Sequence, residues 1–153
     1  MLGISSPIRL RCGVFCFLVL LTISLASCSN ADGPTAAQAG QTLKSHVIRL
    51  LKERNAQNVT VTDPGGRNLP CAEGQARQTF AAEGADLDPG TNPDALNDML
   101  VGALKRVATY SIVSDSGGVV RLASSSTRTN LTLNSRTPGV YVVRGETECL
   151  PVG

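Results

Sequence analysis

The amino-terminal segment decides how much of this 153-residue chain is available to fold. Arg9 and Arg11 precede a predominantly apolar run at residues 12–26, which ends in small residues. A basic start, an apolar run of about 7 to 15 residues and a small-residue end form the tripartite pattern of a secretory signal. A bilayer-spanning helix needs about 20 apolar residues, and this run is shorter. The sequence therefore predicts that residues 1–27 are a cleaved targeting segment.

The end of this segment carries a second pattern, because Leu25, Ala26 and Ser27 stand directly before Cys28. These four residues resemble the lipobox of bacterial lipoprotein precursors, and the whole chain resembles small cell-envelope lipoproteins of actinobacteria. The resemblance implies a thioether-linked diacylglycerol on Cys28 and cleavage just before it. The new amino terminus then becomes available for acylation by a fatty acid such as palmitate. The alternative is an ordinary secretory signal in which Cys28 is incidental.

Lipidation of Cys28 would fix the location of the domain. Two acyl chains anchor a protein stably, at about 0.8 kcal/mol per buried methylene, whereas a single chain binds membrane only marginally. Residues 29–35 are rich in turn-forming and small polar residues, so residues 28–35 are interpreted as a short lipidated tether. The resemblance implies a cell-membrane protein on the extracytoplasmic face, held to the membrane through Cys28.

Removal of the targeting segment changes the net charge and the set of residues available for a core. The chain has 14 Lys and Arg against 12 Asp and Glu, and loss of Arg9 and Arg11 leaves 12 of each sign. A neutral exported chain has no overall basic character suited to nucleic acid, so nucleic acid is not a predicted partner. The 126 residues from Cys28 onward suffice for one compact domain, and with no Trp its core must come from aliphatic residues.

Two cysteines remain for this domain. Cys12 and Cys16 leave with the targeting segment and Cys28 carries the anchor, so Cys71 and Cys149 are left to pair. An exported chain meets an oxidising compartment, where leftover cysteines usually form a disulfide. The alternative is a cysteine-containing active site or metal site, but the chain has a single histidine and no CxxC spacing. The sequence therefore predicts a Cys71–Cys149 disulfide.

Two segments have helical periodicity. The first covers about residues 35–54, and its apolar residues recur at spacings of three and four: Leu43, Val47, Leu50 and Leu51. His46 borders this stripe and is interpreted as a packing or surface residue. The second starts at Asn92 and Pro93, a capping residue and a first-turn proline. Its apolar face is predicted to contain Leu96, Met99, Leu100, Ala103, Leu104 and Val107.

The remaining segments favour strands. Residues 59–62 alternate with period two and end at a turn. Residues 75–83 suit either a strand or a helix, and we favour a strand that forms a hairpin with residues 59–62. Four further β-like runs follow, at residues 109–114, 119–124, 127–133 and 140–147. Short links predict sequential antiparallel pairing. Residues 36–153 should form a single α+β domain, an antiparallel sheet of five or six strands with two helices packed on one face.

No group of residues in the domain matches a known catalytic, metal-binding or phosphate-binding motif. Glu83, Asp86 and Asp88 cluster in a loop-like stretch and could act as paired carboxylates or offer oxygens to calcium. Their spacing fits no twelve-residue calcium loop, and such charges commonly solubilise a loop. Two glycine pairs, Gly65-Gly66 and Gly117-Gly118, lack the lysine and the following helix that a phosphate-binding loop requires. We therefore predict no catalytic residue, metal site or cofactor.

The sequence favours a non-catalytic binding or accessory module of the envelope. Its partner would be an envelope protein or an apolar or lipid ligand, engaged by the solvent-facing side of the sheet or by a cavity between helices and sheet. One alternative is an envelope hydrolase that uses the acidic cluster, which requires an acid-lined pocket and a raised carboxyl pKa. Another is a purely structural surface lipoprotein without a pocket.

Overall fold

A six-stranded antiparallel sheet with two helices packed against it dominates the architecture. The structure is a computed structural model that describes residues 33–153. Leu25, Ala26, Ser27 and Cys28 lie outside the described residues. The elements are α1 (Ala36–Glu53), β1 (Gln57–Asp63), β2 (Leu69–Ala72), β3 (Gln75–Arg77), β4 (Thr79–Ala85), α2 (Pro93–Leu104), β5 (Ser111–Ser116), β6 (Val119–Ser124), β7 (Thr129–Leu133), β8 (Val140–Thr147) and β9 (Leu150–Pro151).

The large sheet has the strand order β1-β4-β8-β7-β6-β5, and every neighbouring pair is antiparallel. Strands β5 to β8 pair sequentially, and β4 pairs with β1, as predicted. The α+β prediction with five or six strands is therefore confirmed. The β4–β8 pair joins the two halves of the chain, and its register matches Thr79 with Glu146 and Ala85 with Val140.

Local sequence signals explain both helices. Thr35 caps α1 in a capping box: its Oγ1 accepts from the N–H of Gln38 at 3.3 Å, and Oε1 of Gln38 accepts from the N–H of Thr35 at 3.0 Å. Oδ1 of Asn92 accepts from the N–H of Ala95 at 2.9 Å and caps α2. Helix α2 ends at Leu104, so residue 107 of the predicted apolar face follows the helix.

The core lies between the helices and the large sheet. Helix α1 packs against β4 and β8, and α2 packs against β8 and α1. The predicted stripe of α1 is fully buried, as are Phe80 and Tyr141 on the facing strands. Met99 was expected on the buried face of α2 but is 36 % exposed, because it lies at the rim where its sulfur contacts Arg54. Every buried side-chain nitrogen and oxygen of residues 33–153 has a hydrogen-bond partner.

A small three-stranded sheet, β2-β3-β9, was not predicted. Its strands belong to the predicted turn region, to the start of the 75–83 segment and to the chain end. Cys71 in β2 and Cys149 just before β9 form a disulfide with their Cα atoms 6.0 Å apart. This is the pairing that the sequence predicted.

The predicted 75–83 strand is interrupted at Gln78, which is buried between the two sheets. The N–H of Gln78 donates to Oγ1 of Thr147 at 3.0 Å, and its carbonyl accepts from the N–H of Thr147 at 2.8 Å. Its side-chain amide donates to Oδ1 of Asn68 at 2.8 Å. The two bonds to Thr147 satisfy the backbone where the chain passes from β3 to β4, and the bond to Asn68 satisfies the buried side-chain amide.

His46 is a packing residue, as predicted, and it belongs to a polar network. Its Nδ1 lies 3.0 Å from the Tyr110 hydroxyl, which in turn lies 2.6 Å from Oγ1 of Thr129. The two rings meet edge to face, with centroids 5.7 Å apart. Burial of His46 lowers its pKa, and the nearby positive charge of Arg49 lowers it further. The folded protein therefore favours the neutral imidazole.

We expect His46 to make folding stability depend on pH below about pH 6.5, the ordinary pKa of a histidine side chain. The unfolded chain takes up a proton near pH 6.5 that the folded chain binds only at lower pH, so stability should fall as pH falls through this window. The slope cannot exceed about 1.4 kcal/mol per pH unit, the value for one proton. Urea denaturation at several pH values measures it. The variant His46→Gln should flatten the slope, and an unchanged slope would contradict the assignment.

Candidate binding groove on the open face of the sheet

Strand alternation gives the large sheet two different faces. In β8, Tyr141 and Val143 point into the core, whereas Arg144 and Glu146 are exposed. In β6, Val120 and Leu122 are buried and Arg121 between them is exposed. The helices cover one face, and the opposite face carries charged, hydroxyl and apolar side chains.

The open face forms a groove with a volume of about 690 Å³. Its lining extends from β1 at one edge of the sheet to β5 at the other, which requires the sheet to curve. Both edge strands contain register irregularities, two in β1 and one in β5. Such irregularities increase local twist and bend a sheet. The groove lining includes Asp63, Val113, Arg121, Thr132, Arg144 and Glu146.

Two arginines and one threonine form a row across the middle of the groove. Thr132 of β7 is the direct partner of Arg144 in β8 and of Arg121 in β6. Directly opposed residues point to the same side of an antiparallel sheet. Because neighbouring strands lie about 4.8 Å apart, the backbones of the two arginines are separated by about 10 Å. We name these three residues the arginine row.

The acids of the groove are engaged by other groups. Oδ2 of Asp63 accepts from Oγ1 of Thr79 at 2.6 Å, and its Oδ1 accepts from the N–H of Gly65 at 3.0 Å. These hydrogen bonds lower the pKa of Asp63, and the charge of Arg67 adds to the effect. Glu146 forms an ion pair with Arg77 at 3.4 Å. Both carboxylates thus have hydrogen-bond or ion-pair partners outside the arginine row.

Neither arginine of the row forms an ion pair within residues 33–153, where the ion pairs are Arg77–Glu146, Arg106–Glu53 and Arg128–Glu148. Two guanidinium groups therefore face the groove without an ion-pair partner among residues 33–153. The groove offers positively charged donors together with the Thr132 hydroxyl. Val113 lies at its β5 edge and is 68 % exposed, which adds an apolar contact surface.

The predicted acidic cluster of Glu83, Asp86 and Asp88 is not part of the groove lining. Glu83 lies in β4, and Oδ1 of Asp88 accepts from the N–H of Gly90 at 2.8 Å. Within residues 33–153 no group of three His, Cys, Asp or Glu residues could hold a metal ion. The three acids therefore do not form a metal-binding group.

Asp86 has a structural role in a cluster with Tyr141 and Arg54. The Tyr141 hydroxyl donates to Oδ1 of Asp86 at 2.8 Å, and Nη2 of Arg54 donates to the same hydroxyl at 3.0 Å. Burial acts to raise the pKa of Asp86, but hydrogen bonds from Thr91 and Tyr141 and the charge of Arg54 outweigh it and lower the pKa. The hydrolase hypothesis required a raised carboxyl pKa, and at Asp86 the shift has the opposite direction.

A second cavity, of about 250 Å³, lies between the end of α2 and the β5 edge. Leu104, Tyr110 and Ile112 contribute to its lining. This volume is below the range of about 300 to 1,000 Å³ that is typical of small-molecule sites. Of the two predicted binding locations, the solvent-facing side of the sheet thus offers the larger volume.

The arginine row was not singled out in the sequence. Apolar and polar residues alternate in residues 119–124, which places Arg121 on the other strand face from Val120 and Leu122. Its outward orientation could therefore be predicted. Its proximity to Arg144 was not readable from either strand alone, because it depends on both strands pairing with β7 in register. The arginine row could have been identified from the prediction that two short β segments pair with a third segment that lies between them.

No protein-family model, curated protein sequence or solved structure matches this chain. Among residues 33–153 no helix is long and apolar enough to cross a membrane. Functional inference therefore rests on the groove and on the sequence.

Proposed function

We propose that this protein is a lipid-anchored envelope lipoprotein whose domain is a non-catalytic binding module, with the groove on the open sheet face as its binding surface. The single observation that carries this proposal is the groove of about 690 Å³ with its two arginines that lack acidic partners. Its volume lies in the range of ligand sites. The sequence pattern before Cys28 supports the proposed anchor and the extracytoplasmic location.

The side chains of the groove suit recognition better than catalysis. Acid–base chemistry needs a nucleophile or a water held by a base with a matched pKa. The groove carboxylate of Asp63 is stabilised in its ionised form, and Glu146 is in an ion pair. His46 is buried in the helix-side network. These contacts support a binding role, in which arginines and hydroxyls orient a ligand.

Mass spectrometry of the protein purified from its own membrane tests the proposal. Under native conditions we expect a co-purifying ligand, which Thr132→Trp should remove because the indole fills the middle of the groove without changing its charge. The matched control is Thr137→Trp, in the exposed loop between β7 and β8. Ligand retained equally by both variants would contradict the groove assignment.

The same sample, denatured, reports on the anchor. The expected mass corresponds to a chain that begins at Cys28 and carries a diacylglyceryl group, with or without an additional acyl chain. An unmodified Cys28 or a different first residue would contradict the lipoprotein part of the proposal. The ligand and anchor readouts are independent of each other.

A further inference from the structure

The arginine row defines the chemistry that the groove can recognise. Each guanidinium is a planar fork of five N–H donors, suited to charge-assisted hydrogen bonds with oxyanions. Arg121 and Arg144 flank Thr132 on one face, so their side chains can approach a group above Thr132 from two sides. The Thr132 hydroxyl supplies a third polar group between them.

A phosphate group fits this arrangement better than a carboxylate. The oxygens of phosphate point in tetrahedral directions, so separate oxygens can accept from each guanidinium while another accepts from the threonine hydroxyl. A carboxylate has two oxygens in one plane, and a single arginine fork can engage both. Three donor groups distributed over three strands therefore favour the tetrahedral anion.

The charged residues around the arginine row leave its two guanidinium groups free to bind an anion. Arg77, Arg106 and Arg128 each hold a glutamate in the described chain, whereas Arg121 and Arg144 hold none. The nearest acids of the groove, Asp63 and Glu146, have their own partners. An incoming anion would thus meet two positive charges without having to displace a carboxylate of residues 33–153.

We infer that the arginine row binds a phosphate group, carried by a membrane phospholipid or by a soluble phosphate compound. This inference deepens the proposed function and rests on it, because it names the ligand class of the same groove. Arg121 and Arg144 bind the phosphate oxygens, and Thr132 donates from the groove floor. Val113 at the groove edge contacts the apolar part of the ligand.

Nuclear magnetic resonance of the arginine side chains tests the site in the full-length protein, held in nonionic detergent. Inorganic phosphate, titrated at constant ionic strength, should shift the Nε–Hε signals of Arg121 and Arg144 saturably, and acetate should not. Arg121→Gln and Arg144→Gln should each weaken phosphate binding about tenfold, since each removes charge-assisted hydrogen bonds. Arg49→Gln, at an exposed position on α1 outside the groove, is the matched control and should leave binding unchanged.

Phosphatidylglycerol mixed into the detergent micelles distinguishes the two sources. Shifts with this lipid as well as with inorganic phosphate assign a lipid headgroup, and shifts with inorganic phosphate alone assign a soluble compound. Equal response to acetate, or no weakening in the two arginine variants, would overturn the phosphate assignment. If Thr132→Trp removes a phosphate-free ligand in native mass spectrometry, the proposed function stands and this inference fails. Absence of both ligand and shifts overturns both.

Discussion

Replacement of both Cys71 and Cys149 by serine should lower the free energy of unfolding by about 4 to 5 kcal/mol. The disulfide spans 78 residues, so its loss gives the unfolded chain much more freedom. This effect approaches the whole net stability of many small domains. Urea denaturation of the double variant beside the wild-type protein measures it.

Reduction of the wild-type protein provides the control for this prediction. Its stability in reductant should approach that of the double serine variant, because both lack the same covalent link. Without reductant, the denatured protein should show no free thiol at residue 71 or 149. Equal stability with and without reductant, or two free thiols at these positions, would contradict the prediction.

Removal of the disulfide should destabilise some parts of the structure more than others. Strand β9 has two residues and β3 has three, and strands of this length are not stable by themselves. The small sheet packs on a separate group of buried residues, Ala36, Ala39, Ala76 and Leu150. Hydrogen exchange should therefore increase most in β2, β3 and β9. The large sheet keeps its own continuous core and should lose less protection.

The helices and most strands could be predicted because their signals are local. Leu43, Val47 and Leu50 recur at helical spacing whatever the rest of the chain does, and they are buried as expected. Strand ends differed by a few residues, as for β5 at Ser111–Ser116 against a predicted 109–114. The interruption at Gln78 was not predictable, because its backbone groups bond Thr147, 69 positions away, and its side chain bonds Asn68.

The groove depends on information that no single segment contains. The same limit applies outside the groove, where Asp86 belongs to an acidic loop in the sequence but bonds Tyr141, 55 positions away. Arg121 and Arg144 lie on different strands and become neighbours of Thr132 only through pairing. The register shifts in the two edge strands, which locally twist and bend a sheet, also depend on pairing between strands. Sequence patterning therefore gave the faces of the strands and not the site.

The second large effect on stability is expected at Gly139, in the loop that leads into β8. Its φ is +69°, and an added Cβ would lie 2.5 Å from Cα and 2.7 Å from O of Pro89. We expect Gly139→Ala to lower the free energy of unfolding by about 2 to 5 kcal/mol. A non-glycine residue in this conformation costs about 1 to 2 kcal/mol, and overpacking against backbone typically adds about 1 to 3 kcal/mol.

Gly74→Ala is the matched control because it separates these two causes. Gly74 has a φ of +66°, but nothing lies within 4 Å of its added Cβ, so this variant should show only the conformational cost of about 1 to 2 kcal/mol. Urea denaturation of both variants under one condition gives the difference. Equal losses would contradict the clash with Pro89. A larger loss at Gly139 would show that the chain entering β8 approaches Pro89 too closely to accept a side chain at this position. The two segments are in direct contact here, because the N–H of Gly139 donates to the carbonyl of Thr91 and its carbonyl accepts from the N–H of Asp86.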